Sequence, residues 1–160
     1  MKWDVGDMTS MVSYSNESFD IVFDKGALDA LMSEDSSEEV LSKASDMFRE
    51  ILRVLTKSGY YLCITLAEPF VLRHFLEHFN NSSTSMTLHV ITNKKPSPFV
   101  PLLAVVQKGG QGRLTMHFDR FGNEIKKGNF VTKEVALEAV AHLQEFKQMR
   151  FRLGLFPRLG

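Results

Sequence analysis

The residue types able to do chemistry gather at Asp24-Lys25-Gly26, where a carboxylate, an ammonium and a conformationally free glycine follow the apolar run Phe19-Asp20-Ile21-Val22-Phe23. A run of that composition reads as a strand buried on both faces of a parallel sheet. Ala27-Leu28-Asp29-Ala30-Leu31 then has the composition of a helical turn. In an open α/β sheet, ligands bind at the carboxyl ends of the strands, so these charges face a site if the chain has one. The same residues also admit a structural reading, with Asp24 capping the next turn and Lys25 solvated.

Other reactive residues are less productively spaced. His74 and His78 lie four apart on an expected helix, the spacing of a two-histidine metal site. No third ligand is evident, so they read as solvated histidines and no metal is expected. Cys63 has no partner for an internal disulfide and sits in an apolar run, which fits an inert buried thiol in a reducing compartment, and a cytoplasmic location. Lys108-Gly109-Gly110-Gln111-Gly112 resembles a phosphate loop, but the alternating run Arg113 to Phe118 follows it where a helix would be required. The glycines are therefore a turn. Asp7-Met8 reads by itself as an Asp-led turn.

The elements that must position these residues fit one domain. At 160 residues the chain can bury roughly two thirds of its unfolded surface. Nineteen basic and nineteen acidic residues cancel, which argues against nucleic acid or an anionic membrane as the main partner. The apolar stretch from Phe99 to Val106 is far shorter than the ~20 residues of a membrane span. Asp4 and Asp7 interrupt the N-terminus where a signal peptide would be apolar.

In chain order, Met1 to Val5 is a strand candidate and Ser10 to Ser18 a polar surface turn. After the corner, Ser36 and Glu39 form an expected capping box. Val40, Leu41, Ala44, Met47, Phe48, Ile51, Leu52 and Leu55 then recur at helical spacing, with Lys57 and Gly59 as the stop. Tyr60 to Leu66 is a second buried strand, and strand, helix, strand is a right-handed βαβ unit. Pro69 opens a helix with Leu72, Phe75, Leu76 and Phe79 on its buried stripe. Met86 to Thr92 suits an edge strand; Asn93 to Pro98 is a turn, and Pro101 to Val106 should pair antiparallel with it. Phe121 to Glu124 is a further turn. Thr132 caps a last helix whose stripe is Ala136, Ala139, Val140, Leu143, Phe146 and Met149, and Arg150 to Gly160 is a docked or frayed tail.

The run Asp24-Lys25-Gly26-Ala27-Leu28-Asp29-Ala30, preceded by Gly6-Asp7-Met8-Thr9 and Phe19 to Val22, resembles the class I S-adenosylmethionine-dependent methyltransferases. Within them it is most similar to the methyltransferase-like protein 13 family, which methylates lysines and an N-terminus of translation elongation factor 1 alpha. The likeness continues through Arg49 to Leu55, Gly59 and Tyr61 to Ala67, covering residues 1 to about 80 well and the rest loosely. It implies an α/β fold with a partial Rossmann-like sheet, strands three to seven of the usual seven, ending in an antiparallel hairpin and a C-terminal helix. It divides the single, incomplete domain into a core of residues 1–107 and an extension of residues 108–160.

The resemblance further implies S-adenosylmethionine as cofactor, with Asp7 and Met8 beside its adenine and Asp24, Lys25 and Gly26 at the rim near the transferred methyl. It names no catalytic residue. The implied partner is a protein substrate, such as one of the elongation factor 1 alpha class. The family's glycine-rich loop and ribose-binding acid have no counterpart, so the first two strands are expected to be missing from the middle of the sheet. The chain therefore reads as N-terminally truncated, with uncovered apolar surface, and a catalytically inactive protein-binding module stands as the alternative function.

Overall fold

The computed structural model describes residues 4–33, 37–91, 98–118 and 129–152. β1 (Phe19–Lys25) and β2 (Leu55–Thr65) lie parallel, connected through α1 (Ala27–Leu31) and α2 (Glu38–Val54). α2 buries Ala44, Met47, Phe48, Ile51 and Val54, a stripe at three- and four-residue steps. Its cap is Ser37, whose hydroxyl accepts the Val40 N–H at 3.4 Å. The cap thus falls one residue after the expected Ser36, which lies outside the described residues. The helix also ends earlier than expected, at Val54, and Leu55 to Gly59 are already strand. At Gly59 an added Cβ would stand 3.0 Å from the Asp20 carbonyl oxygen, so glycine permits close approach of β1 instead of stopping a helix.

α3 (Pro69–Phe79) is followed by β3 (Thr84–Val90) and β4 (Leu102–Lys108), which pair antiparallel. β4 inserts between β3 and β2, antiparallel to both. β5 (Leu114–Phe118) adds parallel to β3, and β6 (Asn129–Phe130) antiparallel to β5. Among the described residues the sheet order is β1-β2-β4-β3-β5-β6. This is the expected α/β sheet with its closing hairpin. β3, expected at an edge, is interior because β5 occupies its second side. Of the expected first strand, Asp4 and Val5 have no strand structure and Met1 to Trp3 lie outside the described residues.

One face of the sheet carries the core. Tyr61 and Cys63 of β2, Met86, Leu88 and Val90 of β3, and Leu102, Ala104 and Val106 of β4 are buried beneath α2 and α3. There the rings of Phe48, Tyr61, Phe75 and Phe79 pack at 4.8 to 6.1 Å between centroids. The opposite face is open at its β1 end: Phe19, Ile21 and Phe23 are 37%, 57% and 59% exposed, and Tyr60 is exposed beside them. The expectation that β1 and β2 are buried on both faces is therefore corrected, because the helices that follow each strand pack on the same side.

α4 (Lys133–Arg152) starts with Thr132 accepting the Val135 N–H at 3.3 Å. It buries Ala136 and Val140, but Phe146 and Met149, expected on the stripe, are half exposed. The expected turns at Asn93 to Pro98 and Phe121 to Glu124, and most of the tail, fall largely or wholly outside the described residues.

Candidate functional site

The parallel arrangement brings the carboxyl ends of β1 and β2 together. At the end of β1, the buried Asp24 carboxylate accepts Ala27 N–H at 2.7 Å through Oδ1 and Leu28 N–H at 3.2 Å through Oδ2. Oδ2 also accepts the Tyr61 hydroxyl at 3.0 Å, and the Cys63 thiol lies 3.7 Å from it. Asp24 thus closes the first turn of α1 and satisfies the buried tyrosine of the neighbouring strand. Gly26 donates to the Ile64 carbonyl at 3.1 Å with φ of 83°, a left-handed geometry that favours glycine. Lys25 between them is exposed.

The end of β2 is held from α1. Asp29 accepts the Thr65 hydroxyl at 2.5 Å and the Leu66 N–H at 2.9 Å. Thr65 Oγ1 in turn accepts the Ala67 N–H at 2.9 Å, fixing Ala67 at φ of 53°. From α4, the Gln144 side-chain amide donates to the Leu66 and Ala67 carbonyls, both at 2.8 Å. Beside this turn α3 and α4 enclose a cavity of about 230 Å³ whose lining includes Leu72, Arg73, Glu138 and Gln144.

Asp7 and Met8 sit on the loop before β1. Asp7 Oδ1 accepts Thr9 N–H at 2.8 Å and the Thr9 hydroxyl at 2.7 Å, and these bonds hold its carboxyl below the usual range. Both residues line a hollow of about 500 Å³ built entirely from residues 4–14. The loop is fastened to α2: Glu50 accepts the Met11 N–H at 2.7 Å, while Arg53 donates to the carbonyls of Met11 and Tyr14 and to Asn16 Oδ1, each at 2.9 Å. Arg53 and Glu50 pair at 2.8 Å, which lowers the Glu50 pKa and raises that of Arg53.

Burial first, then Cys63 and Asp24, pushes the Tyr61 hydroxyl well above its ordinary pKa. Burial and the Asp24 charge push the Cys63 thiol up likewise, so it stays protonated at neutral pH. His74 and His78 are partly buried against Phe48, with His74 Nε2 3.1 Å from Ser45 Oγ; they are packed residues and not solvated ones. Among the described residues no cluster of three or more metal-ligating side chains occurs, and no helix is long and apolar enough to cross a membrane.

A nucleoside-bearing cofactor would find part of what it needs here. An added Cβ at Gly26 would meet nothing within 4 Å, so the backbone there is open to close approach. The Asp24 and Asp7 carboxylates are already engaged by their own chain. Asp29, Tyr61, Glu50, Arg53 and Gln144, which order these segments, were not singled out from sequence. Asp29, Glu50, Arg53 and Tyr61 fall within the runs that carry the family resemblance, but only as members of those runs.

No family model matches the chain. The human eEF1A lysine and N-terminal methyltransferase is 30% identical over 165 aligned residues, 96% of this chain and 23% of the relative. The Xenopus laevis protein of the same name is 31% identical over the same shares, and the bovine one 37% identical over 56% of this chain and 12% of its own length. A solved structure assigned as a DNA modification methylase from Thermus thermophilus covers 74% of this chain and 55% of its own, with 15% identity and a TM-score of 0.41. By sequence the chain is related to protein methyltransferases. Within that class its curated homologues are the eEF1A lysine and N-terminal methyltransferases, of whose length it spans about a quarter or less.

Proposed function

We propose that this chain takes part in S-adenosylmethionine-dependent methyl transfer to a protein amine, a lysine or an N-terminus, with a translation elongation factor of the eEF1A type as substrate and the cytoplasm as its place of action. The observation that carries this reading is homology to the eEF1A methyltransferases across 96% of the chain. The cofactor, when bound, supplies an electrophilic methyl group on its sulfonium. On this reading Asp7 and Met8 flank the adenine, and the backbone at Gly26 with Lys25 forms the rim beside the methyl. Asp24 is a positioning residue: by capping α1 and accepting Tyr61 it fixes the height of Gly26 above the strand ends. Asp29 and Gln144 do the same for the turn at Leu66 and Ala67. No catalytic residue is assigned.

The alternative is a catalytically inactive protein-binding module. It is supported by the half-open sheet at Phe19, Ile21 and Phe23. Isothermal titration of S-adenosylmethionine and S-adenosylhomocysteine into the purified chain, with circular dichroism as the check on folding, separates the two. Micromolar binding that Gly26→Val weakens supports the cofactor reading; a folded chain that binds neither compound supports the module.

A further inference from the structure

Ala67 combines a strained backbone with complete burial just past the carboxyl end of β2. Among the described residues, two that are not glycine have a left-handed backbone, Glu17 at φ of 56° and Ala67 at 53°. Glu17 lies in an exposed turn, whereas Ala67 is 0% exposed. An alanine held in this region stores strain and persists only where its surroundings over-determine it, a combination that gathers at ligand sites. Here the surroundings do so. All four backbone polar atoms of Leu66 and Ala67 are engaged by side chains: Asp29 accepts the Leu66 N–H, Thr65 Oγ1 accepts the Ala67 N–H, and Gln144 Nε2 donates to both carbonyls. Those side chains come from α1, β2 and α4, so three elements converge on two residues. Asp29 also ties the turn to the corner, because it follows Gly26 on α1, and Gly26 donates to the Ile64 carbonyl two residues before Leu66. What this bracing displays is the Leu66 side chain, apolar and 39% exposed, where the parallel strands end and ligands bind.

We propose that Leu66 meets the protein substrate beside the accepting amine, and that Gln144, reaching from α4, is its positioning residue. Both roles rest on the methyl-transfer reading above. On that reading the adenine is taken by the loop before β1 and the methyl by the rim at Lys25 and Gly26. The neighbouring end of β2 is then what remains to meet the methyl acceptor. The isobutyl group of Leu66 brings dispersion and water exclusion without a charge, which suits the carbon atoms next to an amine that must lose its hydration before it attacks. Holding the Leu66 backbone from several elements removes the ordering cost that a flexible loop would carry on binding. The bond from Gln144 to the Leu66 carbonyl spans 78 residues of sequence, so α4 enters the site from the part of the chain farthest from the corner.

Isothermal titration of the purified chain with S-adenosylhomocysteine and, separately, with eEF1A tests it, with circular dichroism to confirm that each variant is folded. Leu66→Ser, and Gln144→Met, which keeps the length but removes the donors, should each weaken eEF1A binding about tenfold and leave S-adenosylhomocysteine binding within about twofold. Gln144→Lys keeps donors for the two carbonyls and should recover most of the eEF1A affinity. Ala136→Gly loosens α4 away from the turn and should lower stability while leaving both affinities in place. Unchanged eEF1A affinity in Leu66→Ser or Gln144→Met overturns the proposal alone. So does an equal loss for both ligands, a failure of Gln144→Lys to recover binding, or a wild-type chain that binds S-adenosylhomocysteine but not eEF1A. A folded wild-type chain that binds neither ligand overturns the methyl-transfer reading and this proposal with it.

Discussion

Tyr61 donates its hydroxyl hydrogen to Asp24 Oδ2 at 3.0 Å across the β1–β2 pair, with both side chains buried. The carboxylate simultaneously takes two N–H groups of α1, so one residue ties the sheet to the helix that leaves it. Asp24→Ala would strand all three donors and should cost about 2 to 4 kcal/mol of stability. Tyr61→Phe removes one donor and leaves the carboxylate capped, so about 1 kcal/mol is expected. Urea denaturation of the three proteins measures both. A loss with Asp24→Ala no larger than with Tyr61→Phe would contradict the capping role.

Arg53 and Glu50 fasten the loop that carries Asp7 and Met8. Arg53→Met should make residues 7–18 cleavable several-fold faster by a nonspecific protease while the rest of the chain stays resistant. The pH dependence follows from Glu50, whose carboxyl Arg53 holds below its ordinary value of 4.5. The contribution is fully present above that value and is lost as pH falls through the lower, folded-state pKa. Protection of the loop should therefore fade only in acid, and the variant, which keeps only the Met11 N–H bond to Glu50, should show a smaller step.

His78 and His89 are both held below the ordinary histidine value of 6.5, His78 by burial and then His74, His89 by burial and then the His117 ring stacked at 4.7 Å. A histidine whose folded pKa is lowered contributes stability that is complete above the unfolded value and declines as pH falls toward the folded one. Thermal denaturation should accordingly give a falling Tm from pH about 7 to about 5. His78→Gln with His89→Gln should flatten that slope; an equally steep slope in the double variant would place the titration elsewhere.

Gly110 is pressed against β3. A Cβ built there would stand 2.2 Å from the Ser85 backbone nitrogen, so Gly110→Ala must move backbone and should destabilise by about 1 to 3 kcal/mol. Gly6→Ala, where nothing lies within 4 Å, is the matched control and should be close to neutral. The glycines after Lys108 thus act by close packing at a turn, as their strand-like sequel implied.

Much of the architecture was readable from local pattern. The apolar stripe of α2, the proline that opens α3 and the two runs on either side of Asn93 to Pro98 each carry their period in consecutive residues, and a strand-helix-strand order dictates a parallel pair. Boundaries were less legible. Ser36 and Ser37 are chemically equal as caps, and Leu55 can end a helix stripe or begin a strand, so the tertiary pairing with Phe19 decided.

The candidate site divides the same way. The sequence by itself determined which residue types share the corner, since Asp24, Lys25 and Gly26 are adjacent, and it showed the relation to methyltransferases through the surrounding run. Tertiary structure alone decided that the Asp24 lone pairs go to α1 and Tyr61, that Arg53 holds a loop about 40 residues away in sequence, and that β5 turns β3 into an interior strand. It also decided that one face of β1 is open. The physical reason is that these outcomes depend on which elements pack on which side of the sheet, and every such contact joins residues whose separation no local period records.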